Sequence, residues 1–141
     1  MNTKILLAAL AGAVAAFLLG WVVYGILLMD FMNSNTTSYA GLTKDPPNFI
    51  GVFIAGLCMS FLMAYVFNRW AGISTFAKGF MGGLIISLPV LLNWNISFYS
   101  FFNLYSTTWL VTDVVVGTLF YGIIGGIVGL VLGMGKKPAV A

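Results

Sequence analysis

Side chains that can hold a proton or a cation are scarce in this sequence, so their positions carry information. Among 141 residues there are three acidic side chains, all aspartate, no histidine and a single cysteine. Asp113 stands among valines in TWLVTDVVVG (108 to 117), and Asp30 closes the apolar run GWVVYGILLMD (20 to 30). Asn93 and Asn95 lie in SLPVLLNWNISFY (87 to 99), and Tyr24 sits six residues before Asp30. Carboxylate and amide oxygens together can ligate a cation or a polar solute, and intramembrane ionisable groups often mark such sites. The same residues also serve as a hydrogen-bond network that fixes helix packing, because an amide in hydrocarbon needs a partner. Two carboxylates could share acid/base work, but no nucleophile stands beside a base, so catalysis is not expected. With no histidine and with Cys58 alone, neither a metal centre nor a disulfide or redox pair is expected. No cofactor is expected either, since no glycine-rich phosphate motif follows a strand.

The elements that must position these residues are helices in a bilayer. The chain is 61% apolar and 6% charged, too little polar surface for a soluble domain of this length. Apolar runs of spanning length occur at residues 5 to 29, 49 to 68, 79 to 99 and 110 to 134. The fold class is therefore an all-α, integral membrane four-helix bundle in one domain, residues 1 to 141. Lys4, Arg69, Lys78, Lys136 and Lys137 fall on one side, against Lys44 on the other. Because basic residues are retained on the inner side, both termini are expected in the cytoplasm. The opening run ILLAALAGAVAA imitates a signal peptide, but it continues through FLLGWVVYGILLM, so an uncleaved first span is expected. Six scattered basic residues do not make a nucleic-acid surface.

Within the spans, small residues recur at steps of four. In YGIIGGIVGLVLGMG, Gly122 and Gly126 form one pair, and Gly125, Gly129 and Gly133 form one row. Such rows let another helix come close, either within the bundle or from another copy or partner. Pro89 removes a backbone bond from the third span, and Asn93 should face other helices instead of lipid. Pro46 and Pro47 suit the start of the second span. Phe98, Tyr99, Phe101, Phe102, Tyr105 and Trp109 read as an aromatic belt at the headgroup level. Residues 114 to 134 alone give about 31 Å of helix, which puts Asp113 at the outer start of its helix, near the positive end of the dipole. Asp30, Asn93, Asn95 and Asp113 then share the outer half of the bundle, with Tyr24 about 9 Å below Asp30.

Several segments resemble a group of small four-span bacterial membrane proteins, frequent in Bacteroidetes and catalogued as a domain of unknown function. The resemblance runs through GWVVYGILLMDF (20 to 31), AYVFNRWAGISTF (64 to 76) with Gly79, and TDVVVG (112 to 117) with the glycine-rich end. It implies four helices and a bacterial inner-membrane location, and it supplies no site residues. Expected partners are the lipid bilayer and a homo-oligomer or larger membrane complex. Two functions follow from the residues: a non-enzymatic subunit or scaffold acting through the glycine faces, or a small transporter or channel using the outer polar cluster.

Overall fold

The computed structural model describes residues 2 to 135. Lys136 and Lys137, two of the basic residues used for the expected orientation, lie outside the described residues. The chain forms α1 (Thr3–Val22), α2 (Met29–Asn35), α3 (Phe49–Val66), α4 (Phe76–Phe101) and α5 (Thr107–Gly133), with no strand among the described residues. Two π-helical turns, Val23–Leu27 and Phe67–Ala71, prolong α1 and α3. Four stretches are long and apolar enough to cross a membrane: Thr3–Leu27, Phe49–Ala71, Phe76–Phe101 and Thr107–Gly133. Their outward surfaces are rich in large apolar side chains, Ile50 at 75%, Ile85 at 69% and Phe101 at 81% exposure among them, which suits hydrocarbon and not water.

The ends of these helices differ from the hydropathy reading by a few residues because caps, not hydropathy, set them. The first span was expected to reach Met29 but stops at Leu27. The Leu28 amide bonds back to the Val23 carbonyl at 2.8 Å, a π-type step, and Leu28 then leaves helical geometry at φ −103°, ψ 0°. Asp30 consequently belongs to a separate short helix, α2. Pro46 and Pro47 do not open α3. Asn48 caps it, its side chain accepting the Gly51 amide at 3.1 Å. Past the π-helical turn that prolongs α3, Gly72 adopts φ +61°, a left-handed conformation suited to glycine, and turns the chain toward α4. Thr75 caps α4, and Ser106 caps α5 by accepting the Trp109 amide at 3.1 Å. The last of these moves the start of α5 three residues ahead of its expected place.

Packing is uneven. α4 lies mostly on α5, α1 lies on α3 and α5, and α3 barely touches α4. The core is the α1–α3–α5 contact, where Ala8, Ala9 and Ala13 of α1 meet Met63, Ala64 and Phe67 on one side and Ile124, Val128 and Leu132 on the other. Gly12 marks its tightest point, since a methyl group there would meet Ser60 Oγ and Val128 Cγ2, both at 2.8 Å. The small residues that imitate a signal peptide are thus the inner face of a packed helix. Lys4 Nζ donates to the Met134 carbonyl at 3.1 Å, which sets the start of α1 beside the end of α5.

The second tight contact is α4 on α5, and it uses the glycine rows. Gly125 and Gly129 lie on Gly79 and Gly83, Gly122 lies under Phe80 and Leu84, Gly126 under the Phe76 ring, and Gly133 against Ser74. A methyl on Gly125 would come 2.5 Å from the Gly79 carbonyl oxygen, which is backbone and cannot swing away. Gly125→Ala should therefore cost about 1–3 kcal/mol or more in a reversible unfolding titration in mixed micelles. Ile85→Ala, on the 69%-exposed outer face of α4, should shift the same midpoint little.

Candidate functional site

The α4–α5 seam is a register of fours. Along α4 the inward positions are Gly79, Gly83, Ser87, Leu91 and Asn95; along α5 they are Gly133, Gly129, Gly125, Tyr121, Gly117 and Asp113. The helices are antiparallel, so each step of four outward on α4 meets a step of four back on α5, and the outermost match is Asn95 with Asp113. Asn95 Nδ2 donates to Asp113 Oδ2 at 2.8 Å and to the Leu91 carbonyl at 3.1 Å. Asn95 is 2% exposed, the most deeply buried side-chain amide among the described residues. Its own carbonyl accepts the Tyr105 hydroxyl at 3.2 Å.

Tyr24 reaches the same place from α1. The π-helical turn Val23–Leu27 widens the helix at this residue, and the Trp21 ring folds over Gly25 on the opposite side. The Tyr24 hydroxyl lies over Gly117, one turn beyond Asp113, at 3.3 Å from where a methyl on that glycine would be. Its ring stands edge-on to Trp109 (centroids 6.4 Å) and to Phe120 (6.1 Å). Trp109, read from sequence as part of a surface belt, is instead buried, with Phe31 of α2 against it at 6.1 Å. Phe101 and Phe102 do point outward, as a belt requires.

Beyond this group, at the same end of the bundle, the connections that follow α2 and α4 are stitched together. The Thr37 amide donates to the Leu104 carbonyl at 2.6 Å, the Ser106 amide to the Asn35 carbonyl at 2.8 Å, and Ser106 Oγ to Asn35 Oδ1 at 2.8 Å. Thr37 Oγ1 adds a bond to the Asn103 carbonyl at 2.8 Å. A polar surface cup of about 400 Å³, lined by residues such as Ser34, Asn103 and Tyr105, sits on the outside of this stitch. Tyr105, between the spans, has its phenol pushed above the ordinary value, first by burial and then by the charge of Asp113.

Below the stitch, a cleft of about 840 Å³ opens between α3 and α4, where those helices fail to meet. Its floor is α1 and α5, through Tyr24, Phe120 and Tyr121; its walls are residues such as Ala55 and Met59 of α3 and Leu91 and Trp94 of α4. Asp113 is the one acidic residue lining it, and no lysine or arginine lines it. The expected helix-start position of Asp113 needs correction: α5 begins at Thr107, so Asp113 lies six residues in, about 9 Å below the outer end and past the reach of the free first-turn amides.

Two members of the expected polar cluster are elsewhere. Asn93 is exposed on the outward side of α4, two residues and about 200° of helix rotation from Asn95, so the amide that meets another helix is Asn95. Asp30 is exposed in the first turn of α2 and does not line the cleft. The structure brings together Tyr24, Asn95 and Asp113, and adds Trp94, Trp109 and Tyr121. Tyr121 is two turns from Asp113 on the same face, a spacing that the glycine row already displayed. No group of three histidine, cysteine or acidic side chains that could hold a metal forms among the described residues.

Fold and site together describe a helical membrane protein with four apolar helices of spanning length and a carboxylate at one end of a cleft between α3 and α4. Comparison with protein-family models, with curated proteins and with solved structures finds no match. The hydrogen bond at the head of the cleft has a direct test. Asn95→Leu should lower stability by about 0.6–2 kcal/mol, the range for interhelical hydrogen bonds in bilayers. Asp113→Asn should cost less, because its amide oxygen still accepts from Asn95. Equal losses in the same unfolding titration would mean that the charge itself holds the helices.

Proposed function

We propose that the chain is a non-enzymatic, four-span protein of a bacterial inner membrane, with both termini cytoplasmic, that binds and transfers a cationic or polar solute through Asp113. The family resemblance carried by residues 20 to 31, 64 to 76 and 112 to 117 belongs to the same reading. The observation that carries it is a carboxylate with an amide donor but no basic side chain around its cleft. A group serving only to join α4 and α5 does not need a charge, since a neutral side chain accepts the same bond without the cost of placing an anion in hydrocarbon. Proteoliposomes should take up a monovalent organic cation, and Asp113→Asn should cut that uptake at least tenfold while the protein elutes and unfolds as before. Uptake equal in the two proteins sinks the reading.

A subunit or scaffold role has one supporting observation of its own. The glycine faces are filled by α4 within this chain, which leaves them unavailable to a partner. Asn93, however, is exposed in the outer half of α4, where lipid offers no hydrogen bond. A second copy or another membrane protein meeting it there satisfies the amide. Under this reading, energy transfer between labelled copies in vesicles falls severalfold in Asn93→Leu; an unchanged signal rejects it. For the orientation, reporters fused after residue 141 and within the connection at residues 36 to 48 should report cytoplasm and exterior respectively.

A further inference from the structure

The cleft has a direction, and the direction limits what can reach Asp113. Toward the outer water the carboxylate is covered by the buried Trp109, by Phe31 against it, and by the stitched connections in which Asn35 and Thr37 bond to residues 103 to 106. Toward the bilayer the gap between α3 and α4 is open. A ligand therefore meets this carboxylate from the hydrocarbon side.

The shape of the cleft sets the rest of the ligand. From Tyr24 and Asp113 its lining continues inward to Ala16 on α1 and Tyr121 on α5, eight residues along each helix and about 12 Å. Apart from the carboxylate and the two tyrosine hydroxyls, the walls are apolar: Phe17, Ala55, Met59 and Leu62 among them. A ligand with its own chain can fill this space while presenting its head to Asp113.

The head is defined by charge and by depth. No basic residue lines the cleft, so a phosphate or carboxylate beside Asp113 is repelled without compensation. An ordinary phospholipid is excluded on that ground. It is excluded also because its headgroup stays at the interface while Asp113 lies about 9 Å beneath the outer end of α5. A single positive charge is complementary to the carboxylate, and the rings of Tyr24 and Trp94 that line the same space favour a cation near their faces.

We propose that the cleft is the binding site for a single-chain amphiphile with one positively charged head, a long-chain amine or quaternary ammonium, which enters sideways from the outer leaflet between α3 and α4. The head rests against Asp113 under the aromatic cap, and the chain lies along the α1–α5 floor. This rests on the reading of Asp113 as a cation site and specifies the ligand class and the route.

The test uses the full chain in nanodiscs of zwitterionic lipid and measures equilibrium binding of three labelled probes: dodecyltrimethylammonium, tetramethylammonium and dodecylphosphocholine. Bound probe is expressed per mole fraction in the bilayer, so that partitioning is not counted as binding. Dodecyltrimethylammonium should bind saturably at one site per chain. Asp113→Asn should weaken it at least tenfold, and Ala55→Trp, which fills the mouth on the α3 side, should do the same. Cys58→Phe, lining the same wall, gives a second blocked mouth should Ala55→Trp fail to fold. Tetramethylammonium and dodecylphosphocholine should show no saturable, Asp113-dependent binding. If tetramethylammonium binds as tightly as the dodecyl probe and depends on Asp113, the cation site stands and the amphiphile proposal falls. If no probe depends on Asp113, both fall. If dodecylphosphocholine binds as well as the cationic probe, the cleft holds lipid chains only and the proposal is overturned.

Discussion

The close approach of α4 to α5 is the constraint from which the site follows. Two helices in lipid gain nothing from hiding apolar surface from water, so their association depends on van der Waals contact and interhelical hydrogen bonds. Here the contact is made backbone to backbone. Gly79 and Gly83 on one helix meet Gly125 and Gly129 on the other, at positions where any side chain would strike a carbonyl or a Cα. Contacts of that kind favour one register, because a shift of one residue brings Lys78 or Phe80 of α4, or Val128 or Leu130 of α5, to a position where no side chain has room. Once the glycines are in register, the rest of the seam is determined, and its outer end brings Asn95 to Asp113 at 2.8 Å. The polar pair is the consequence of a fit made some 20 Å further in.

That arrangement explains what could be read from the sequence and what could not. Four spans are visible because length and hydropathy are local properties. The starts of the third and fourth spans were displaced by three residues because Thr75 and Ser106 set them through single hydrogen bonds, which hydropathy does not register. Asn93 and Asn95 look equivalent in a linear reading, yet they point to opposite sides of α4. The distinction was present in the four-residue row from Gly79 through Gly83 and Ser87, which includes Asn95 and misses Asn93. Asp30 looked like a neighbour of Tyr24 on one helix because nothing in GWVVYGILLMD announces that the helix ends at Leu27. Trp109 looked like a belt residue because burial under α2 depends on how the outer connections fold together, a long-range property. The cleft itself lies beyond any such reading, since it arises where α3 and α4 barely touch.

The two π-helical turns show how a regular bundle accommodates such a site. Tyr24 continues the four-residue row of Ala16 and Gly20 into the π-helical turn Val23–Leu27, where it leans over Gly117 and between Trp109 and Phe120. Such turns cost hydrogen-bond quality and recur at functional positions. The turn at Phe67–Ala71 has a different surrounding: it ends in a left-handed glycine and carries Arg69 and the 73%-exposed Trp70, an arrangement suited to a membrane interface.

A half-buried carboxylate with no basic side chain lining its cleft is tolerable in hydrocarbon only where something else is gained. Asn95 supplies one strong donor, but a carboxylate accepts several bonds, and Asp113 also lines the cleft. A bundle selected for packing alone could continue the small-residue row one step further, with glycine or alanine at position 113 and leucine at position 95, and lose nothing in contact. Instead the row ends in the chain's most expensive side chain for this environment, at the one place where α3 and α4 diverge and beneath a cap that closes the aqueous route. Each of these features alone is ordinary in a helical bundle. Their coincidence around a single acidic side chain is what the proposed recognition role rests on, because a packing defect has no reason to lie where the charge is.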